Sequence, residues 1–267
     1  ANLPEPTIGA NSDTQADDHF GIDLYTGNSG TQTRTTNFRP DWLWLKSRAG
    51  AQIHSHFLLD SSRSDGTIYL KSDVAQNENT DTAVISTLNP SGSIGFTLGN
   101  SGVTNDSSTT YVAWHWKANG GTTSSNTSGT ITSTVQANTT AGFSIVTFEG
   151  NKTRGATIGH GLGVKPDMII MKNRDLAVSW VVWFPNLQAN NQLLELNSTG
   201  AVLTNTGDVN AWWNNTAPTS SLITLGDYDG INDDLSMLAY CFNSVEGYSK
   251  FGSYTGNGSA DGTFVYT

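Results

Sequence analysis

The chain repeats itself in a fixed order, and this limits its fold more than any other feature. Leu24-Tyr25-Thr26-Gly27-Asn28 returns as Thr147-Phe148-Glu149-Gly150-Asn151 and again as Ser253-Tyr254-Thr255-Gly256-Asn257. After the first copy, Phe38-Arg39-Pro40-Asp41-Trp42-Leu43-Trp44-Leu45-Lys46-Ser47-Arg48 is matched by Val164-Lys165-Pro166-Asp167-Met168-Ile169-Ile170-Met171-Lys172-Asn173-Arg174. Phe96-Thr97-Leu98-Gly99 matches Ile223-Thr224-Leu225-Gly226, and Tyr111-Val112-Ala113-Trp114-His115-Trp116 matches Met237-Leu238-Ala239-Tyr240-Cys241-Phe242. Blocks that recur in one order define a structural module. We expect module 1 over 20–118, module 2 over 143–247 and the start of a third module over 248–267. The third copy has only its opening motif, so it reads as part of a repeat that continues in a longer protein. Residues 1–19 are polar with two prolines and read as an extended arm, a candidate attachment segment.

Within each module, short apolar or alternating runs are broken by Gly, Asn, Asp and Ser, as antiparallel strands require. Trp42-Leu43-Trp44-Leu45 and Met168-Ile169-Ile170-Met171 are large and apolar at every position, which predicts strands covered on both faces. The expected fold class is all-β, with tandem antiparallel β-sandwich modules of jelly-roll or concanavalin A-like, lectin-like topology. The Ser/Thr/Gly/Asn-rich segment 119–142 reads as a linker whose one alternation, Ile131 to Val135, supplies at most an edge strand.

Charge excludes one class of partner. Thirteen Lys and Arg against 23 Asp and Glu leave a net charge of −10, which repels the phosphates of nucleic acid. Of the acidic residues 18 are Asp and 5 Glu, a bias toward turns rather than helices. The single cysteine, Cys241, sits where module 1 has His115 inside an apolar run, and predicts a buried, inert thiol. No apolar run approaches the roughly 18 residues that cross a membrane, so membrane insertion is not expected. No signal peptide is visible.

Several groupings invite a functional reading. Trp42, Trp44, Trp114 and Trp116 are replaced in module 2 by other bulky residues, so core packing is the expectation for them. Trp212 and Trp213 are adjacent, which in a strand sends them to opposite faces, so one of them is the better candidate to stack on a carbohydrate ring. Asp227, Asp229, Asn232, Asp233 and Asp234 crowd a Gly-containing loop whose oxygens suit calcium, against the plainer alternative of a solvated acidic turn. His54 and His56 share a strand face and, with His19 or Asp60, have the donor types of a metal site, although nothing fixes a third ligand. Lys46 with Arg48, and Lys172 with Arg174, recur at strand exits and are expected to pair with Asp41 and Asp167. The paired carboxylates of a glycosidase and the Gly-x-Ser-x-Gly, His-Glu-x-x-His and phosphate-loop signatures are missing. The expectation is therefore a protein that is not an enzyme.

The matched blocks, together with Gly159-His160-Gly161-Leu162-Gly163-Val164-Lys165-Pro166 and Val245-Glu246-Gly247-Tyr248-Ser249-Lys250-Phe251-Gly252, resemble a repeat module of large virion proteins in tailed phages of marine bacteria, cyanophage-like podoviruses in particular. The resemblance covers the chain from Phe20 onward. It implies a structural, tail-fibre-like protein located in the virion and made in the host cytoplasm, with no catalytic residues to carry over. By analogy it also implies a homo-oligomer, a trimer, in contact with other tail or capsid proteins. The alternative function is a carbohydrate-binding module that recognises a host surface glycan, and a glycan depolymerase ranks below it.

Overall fold

A computed structural model of the chain describes residues 7–9, 12–50, 53–89, 91, 93–185 and 190–264. Module 1 forms β1 (Phe20–Thr26), β2 (Gln32–Thr35), β3 (Trp42–Ala49), β4 (Phe57–Asp60), β5 (Ile68–Lys71), β6 (Asn79–Thr80), β7 (Ile85–Thr87), β8 (Gly95–Leu98) and β9 (Thr110–Trp116). The joining segment supplies β10 (Ser124–Asn126) and β11 (Ser133–Asn138). Module 2 follows with β12 (Phe143–Glu149), β13 (Thr157–Gly159), β14 (Met168–Asn173), β15 (Val181–Trp183), β16 (Gln192–Glu195), β17 (Leu203–Thr204), β18 (Leu222–Thr224) and β19 (Ser236–Phe242). The strands pair antiparallel throughout, and a 3-10 turn at Ala16–Asp18 is the one helical element among the described residues. The all-β class expected from the sequence is present.

The internal repeat is a repeat of topology. The large sheet of module 1 runs β1-β9-β3-β4-β5-β6, and that of module 2 contains β12-β19-β14-β15-β16-β17 in the same relative order. Each is backed by a small sheet, β2-β8-β7 or β13-β18. Between large and small sheet lies each module's own core, with Leu43, Leu45, Phe96 and Tyr111 in module 1 and Val146, Ile169, Met171 and Ile223 in module 2.

A third core joins the modules. Trp42, Leu58 and Leu70 on one large sheet pack against Phe143, Ile145, Ile170 and Tyr240 on the other. The layers therefore run small, large, large, small. This explains the unbroken apolar runs: successive strand side chains leave on opposite faces, and in β3 and β14 each face meets another sheet. Each large side chain so buried stabilises the fold by roughly 1.5–3 kcal/mol.

The recurring Gly-Asn pair has its own cause. In module 1 the Asn105 amide donates to the carbonyls of Gly30 (2.6 Å) and Gly99 (3.0 Å), and its oxygen accepts the Asn28 N–H (2.9 Å). In module 2 Asn232 donates to Thr153 (3.1 Å) and Gly226 (2.9 Å) and accepts the Asn151 N–H (2.9 Å). One buried asparagine thus ties the turn after the first strand to the glycine just beyond β8 or β18, Gly99 or Gly226. A Cβ at Gly27 would overlap the carbonyl of Asp106, and one at Gly150 that of Asp233, so only glycine fits.

The Pro-Asp pair also has a backbone role. Asp41 accepts the N–H groups of Ala118 (2.7 Å) and Gly120 (2.8 Å), and Asp167 accepts that of Ser244 (2.7 Å). Each carboxylate pins the segment leaving β9 or β19 to the start of β3 or β14. The expected pairing with the strand-exit cations does not occur. Lys46 donates to the His54 carbonyl and Arg48 is exposed. Lys172 is buried, with Nζ donating to the carbonyls of Asn173, Leu176 and Val178 at 2.7, 2.9 and 2.9 Å. Backbone N–H groups satisfy the aspartates first.

Arg174 instead reaches across the junction. It holds Glu78 of module 1 through two bonds of 2.6 and 2.9 Å, and Arg63 holds both Glu78 (3.2 Å) and Asp60 (2.6 Å). Tyr240 of module 2 donates its hydroxyl to Asp60 at 2.7 Å. Burial alone would raise the Glu78 carboxyl, but Arg174 and Arg63 outweigh it and hold the group below its usual range.

Two expectations about the connecting segments change. The linker contributes two strands rather than at most one, and β11 pairs along the whole of β12. The arm is not extended where it is described: Ile8 is buried against Ala141 and Val245, and Ala16–Asp18 form the 3-10 turn. Residues 1–6, 10 and 11 of the arm, and 265–267 of the third copy, lie outside the described residues. The described part of the third copy, 248–264, contains no strand, only the isolated bridge of Ser249 to Val245.

Candidate functional site

The junction of the two large sheets opens near Phe20 and Trp116 into a cavity of about 270 Å³. Module 1 lines it with Phe20 from β1, Trp42 and Trp44 from β3 and Trp116 from β9, while module 2 adds Met168 and Phe242 and the segment after it adds Phe251. A second, more open hollow continues from it past Trp44, Trp114 and His56. The rings form a continuous series: Phe20 to Trp116 at 4.9 Å, Trp116 to Trp42 at 4.4 Å, Trp42 to Trp44 at 5.6 Å and Trp44 to Trp114 at 6.4 Å between centroids. β3 and β9 are neighbours in register, Trp44 opposite Trp114 and Trp42 opposite Trp116, and this sets the rings side by side.

Polar atoms are few and specifically placed. The Trp44 indole N–H donates to Nδ1 of His56 at 2.8 Å, which assigns the proton of the neutral imidazole to Nε2 and leaves that N–H as a donor. Burial, assisted by Lys46, holds His56 below its usual pKa. The Asp73 carboxylate accepts the His56 backbone N–H at 3.2 Å. Trp42, buried in the cavity wall, has an indole N–H without an acceptor among the described residues. No Asp, Glu or Cys lines either hollow. Aromatic walls with a few N–H donors suit a ring that has apolar faces and hydroxylated edges.

The residues singled out from sequence lie elsewhere or are engaged. Trp212 and Trp213 sit in a turn, so strand alternation does not apply to them. Trp213 is 1% exposed in the core of module 2, with its indole N–H on the Gln192 carbonyl, and Trp212 packs half-buried on the same core. The pair forms no platform. Of the tryptophans expected in the core, Trp42 is buried as expected, but Trp44, Trp114 and Trp116 are only half-buried and face the cleft.

The acidic loop does not converge on a cation site. Asp227 pairs with Arg154 at 2.7 Å, and Lys152 pairs with Asp229 (3.6 Å) and Asp233 (2.7 Å). Asn232 is the buried clamp of module 2, and exposed Asp234 donates its N–H to Asp233. Among the described residues no three His, Cys, Asp or Glu side chains are placed to hold a metal ion, so neither the calcium reading nor the histidine one gains support. His19 bonds Thr14 and Asn138, and Asp60 is held by Arg63 and Tyr240. Cys241 is buried, and burial pushes its thiol up to about 12.

Sequence reasoning missed the clamp and the cleft. Asn105-Asp106 recurs as Asn232-Asp233, a signal that was present in the repeat. The cleft had no such signal, because its walls come from two modules. Among the described residues no helix is long and apolar enough to cross a membrane. A family profile described as "Domain of unknown function (DUF7483)" matches residues 15–267, which takes in both modules and their junction. No curated protein and no solved structure matches the chain.

Proposed function

The chain belongs to the DUF7483 family, a domain family of unknown function, and from its repeated blocks and its aromatic cleft we propose a non-enzymatic virion protein, part of a tail fibre or other external appendage, that contributes to host attachment by holding a host surface glycan in that cleft. The half-exposed Trp44–Trp114 surface, continuous with the cavity at the module junction, carries the reading. The uncovered parts of the indole faces stack on the apolar face of a pyranose, while His56 Nε2 is a donor for its hydroxyls. Placement in the virion is supported by the resemblance of the repeated blocks, which also supports assembly with copies of itself and with tail or capsid proteins. A glycan-cleaving role is disfavoured because no carboxylate lines the cleft to act on a glycosidic bond.

The test is a titration of host polysaccharide against the whole chain and against Trp114→Ala. Binding by the parent is expected, with about tenfold loss in the variant, the equivalent of one stacking contact of about 1.4 kcal/mol. Equal binding by both, or none by the parent, would overturn the glycan reading. Finding the chain absent from purified particles by mass spectrometry would overturn the virion reading.

A further inference from the structure

In module 2 the outer edge of the large sheet is covered: β11 pairs along the whole of β12, from Ser133 opposite Phe148 to Asn138 opposite Phe143. The repeat places β1 of module 1 in the position of β12, with Phe20, Ile22 and Leu24 equivalent to Phe143, Ile145 and Thr147. Yet β1 ends its sheet, with β9 on one side and no strand on the other among the described residues.

The free edge is well defined. Gly27 donates its N–H to the Thr109 carbonyl and Lys117 donates to His19, so the odd-numbered residues of β1 turn their backbone groups toward β9. The N–H and C=O groups of Ile22 and Leu24 therefore point outward, as those of Ile145 and Thr147 point toward β11. Their side chains are 58% and 56% exposed. An exposed apolar edge strand is a template for pairing with another chain, and this one carries no lysine, proline or bulge to prevent it. Asp23, its one charge, is neutralised by Arg34 through bonds of 2.7 and 2.8 Å.

The described residues that precede module 1 do not fill the place that β11 fills in module 2. Ile8 is buried on module 2 beside Ala141 and Val245, and residues 16–18 are turned into the 3-10 helix.

We infer that the β1 edge pairs antiparallel with β1 of a second copy of this chain, joining two large sheets across a twofold axis. The argument for a second copy is one of length. The open edges of the two large sheets are β1, β6, β10 and β17, of 7, 2, 3 and 2 residues. The strand that best matches a seven-residue edge is the same edge on another molecule. Pairing satisfies the outward backbone groups of Ile22 and Leu24 in both copies and brings their exposed side chains together, as cross-strand pairs do.

Light scattering on the whole chain tests this, with amide exchange as a second readout. The expected mass is twice the 28.5 kDa of one chain, and the Ile22 and Leu24 amides should gain protection as concentration rises. Leu24→Lys places a charge on the edge, and Leu24→Pro removes an N–H that points away from β9, which an edge strand tolerates. Both variants should halve the mass while their melting temperatures stay within a few degrees of the parent diluted until its dimer dissociates. A monomeric parent, a trimer such as the resemblance implies, or a dimer that survives Leu24→Pro without protecting these amides would each overturn the inference.

Discussion

Asn105 and Asn232 show how much of this fold rests on single side chains. Each is buried, and each closes a turn that would otherwise leave carbonyls and an N–H unpaired. Asn232→Ala should cost about 3 kcal/mol, since each orphaned buried group costs about 1–3 kcal/mol. Urea denaturation measures it, and a cost below about 0.5 kcal/mol, the range of surface changes, would refute the clamp. The histidines set the response to acid. Burial lowers His19, His56, His115 and His160 from the ordinary value of 6.5. A base with a lowered folded pKa favours the neutral form in the native state, so its contribution is present above 6.5 and lost as pH falls through the lowered values. The melting temperature should be level between about pH 7 and 8 and fall below about pH 6. Glycan binding should weaken over the same interval, because protonating His56 removes the acceptor for Trp44. A flat profile down to pH 5 would contradict this assignment. The sequence made the bulk of Trp42, Trp44, Trp114 and Trp116 legible, since the second copy keeps size rather than ring. It did not distinguish burial from partial exposure, because module 2 residues decide which part of each ring is covered.

At the scale of elements, apolar runs in β3 and β14 correctly indicated two covered faces. What covered the second face was not legible: a strand pattern records burial, not the partner. The segment 119–142 shows a different difficulty. Its Ser/Thr/Gly/Asn composition signals a flexible linker, but β11 is held by pairing with β12 and by Gln136, whose side chain bonds Ser61 and Ser62 of module 1. Tertiary pairing overrides the composition. The junction is fixed by the network of Asp60, Arg63, Glu78, Arg174 and Tyr240, which the repeat does not reveal: Arg174 recurs as Arg48, which is exposed, and Tyr240 stands where module 1 has Trp114. Buried ion networks add little net stability, but removing one partner leaves a charge uncompensated. Glu78→Ala should therefore destabilise by about 1–3 kcal/mol, between an exposed and a fully buried pair, because Glu78 and Arg174 are partly exposed and Arg63 keeps Asp60. Chemical denaturation checks this, and a loss near that of an exposed pair, below about 1 kcal/mol, would show that the network does not order the junction.

For the molecule as a whole, two copies of one sandwich pack back to back, and the corner where their large sheets part is the aromatic cleft. The family profile spans both copies and their junction. The junction forms a cleft that neither module has alone, with indoles from module 1, Met168 and Phe242 from module 2 and Phe251 from the segment that follows it. The most direct measurement is a crystal structure of the whole chain soaked with an oligosaccharide from the host surface. The account predicts a sugar ring stacked on Trp44 or Trp114 at the junction, with a hydroxyl within hydrogen-bond distance of His56 Nε2. An oligosaccharide bound at Trp212 or the acidic loop, with the cleft empty, would contradict it.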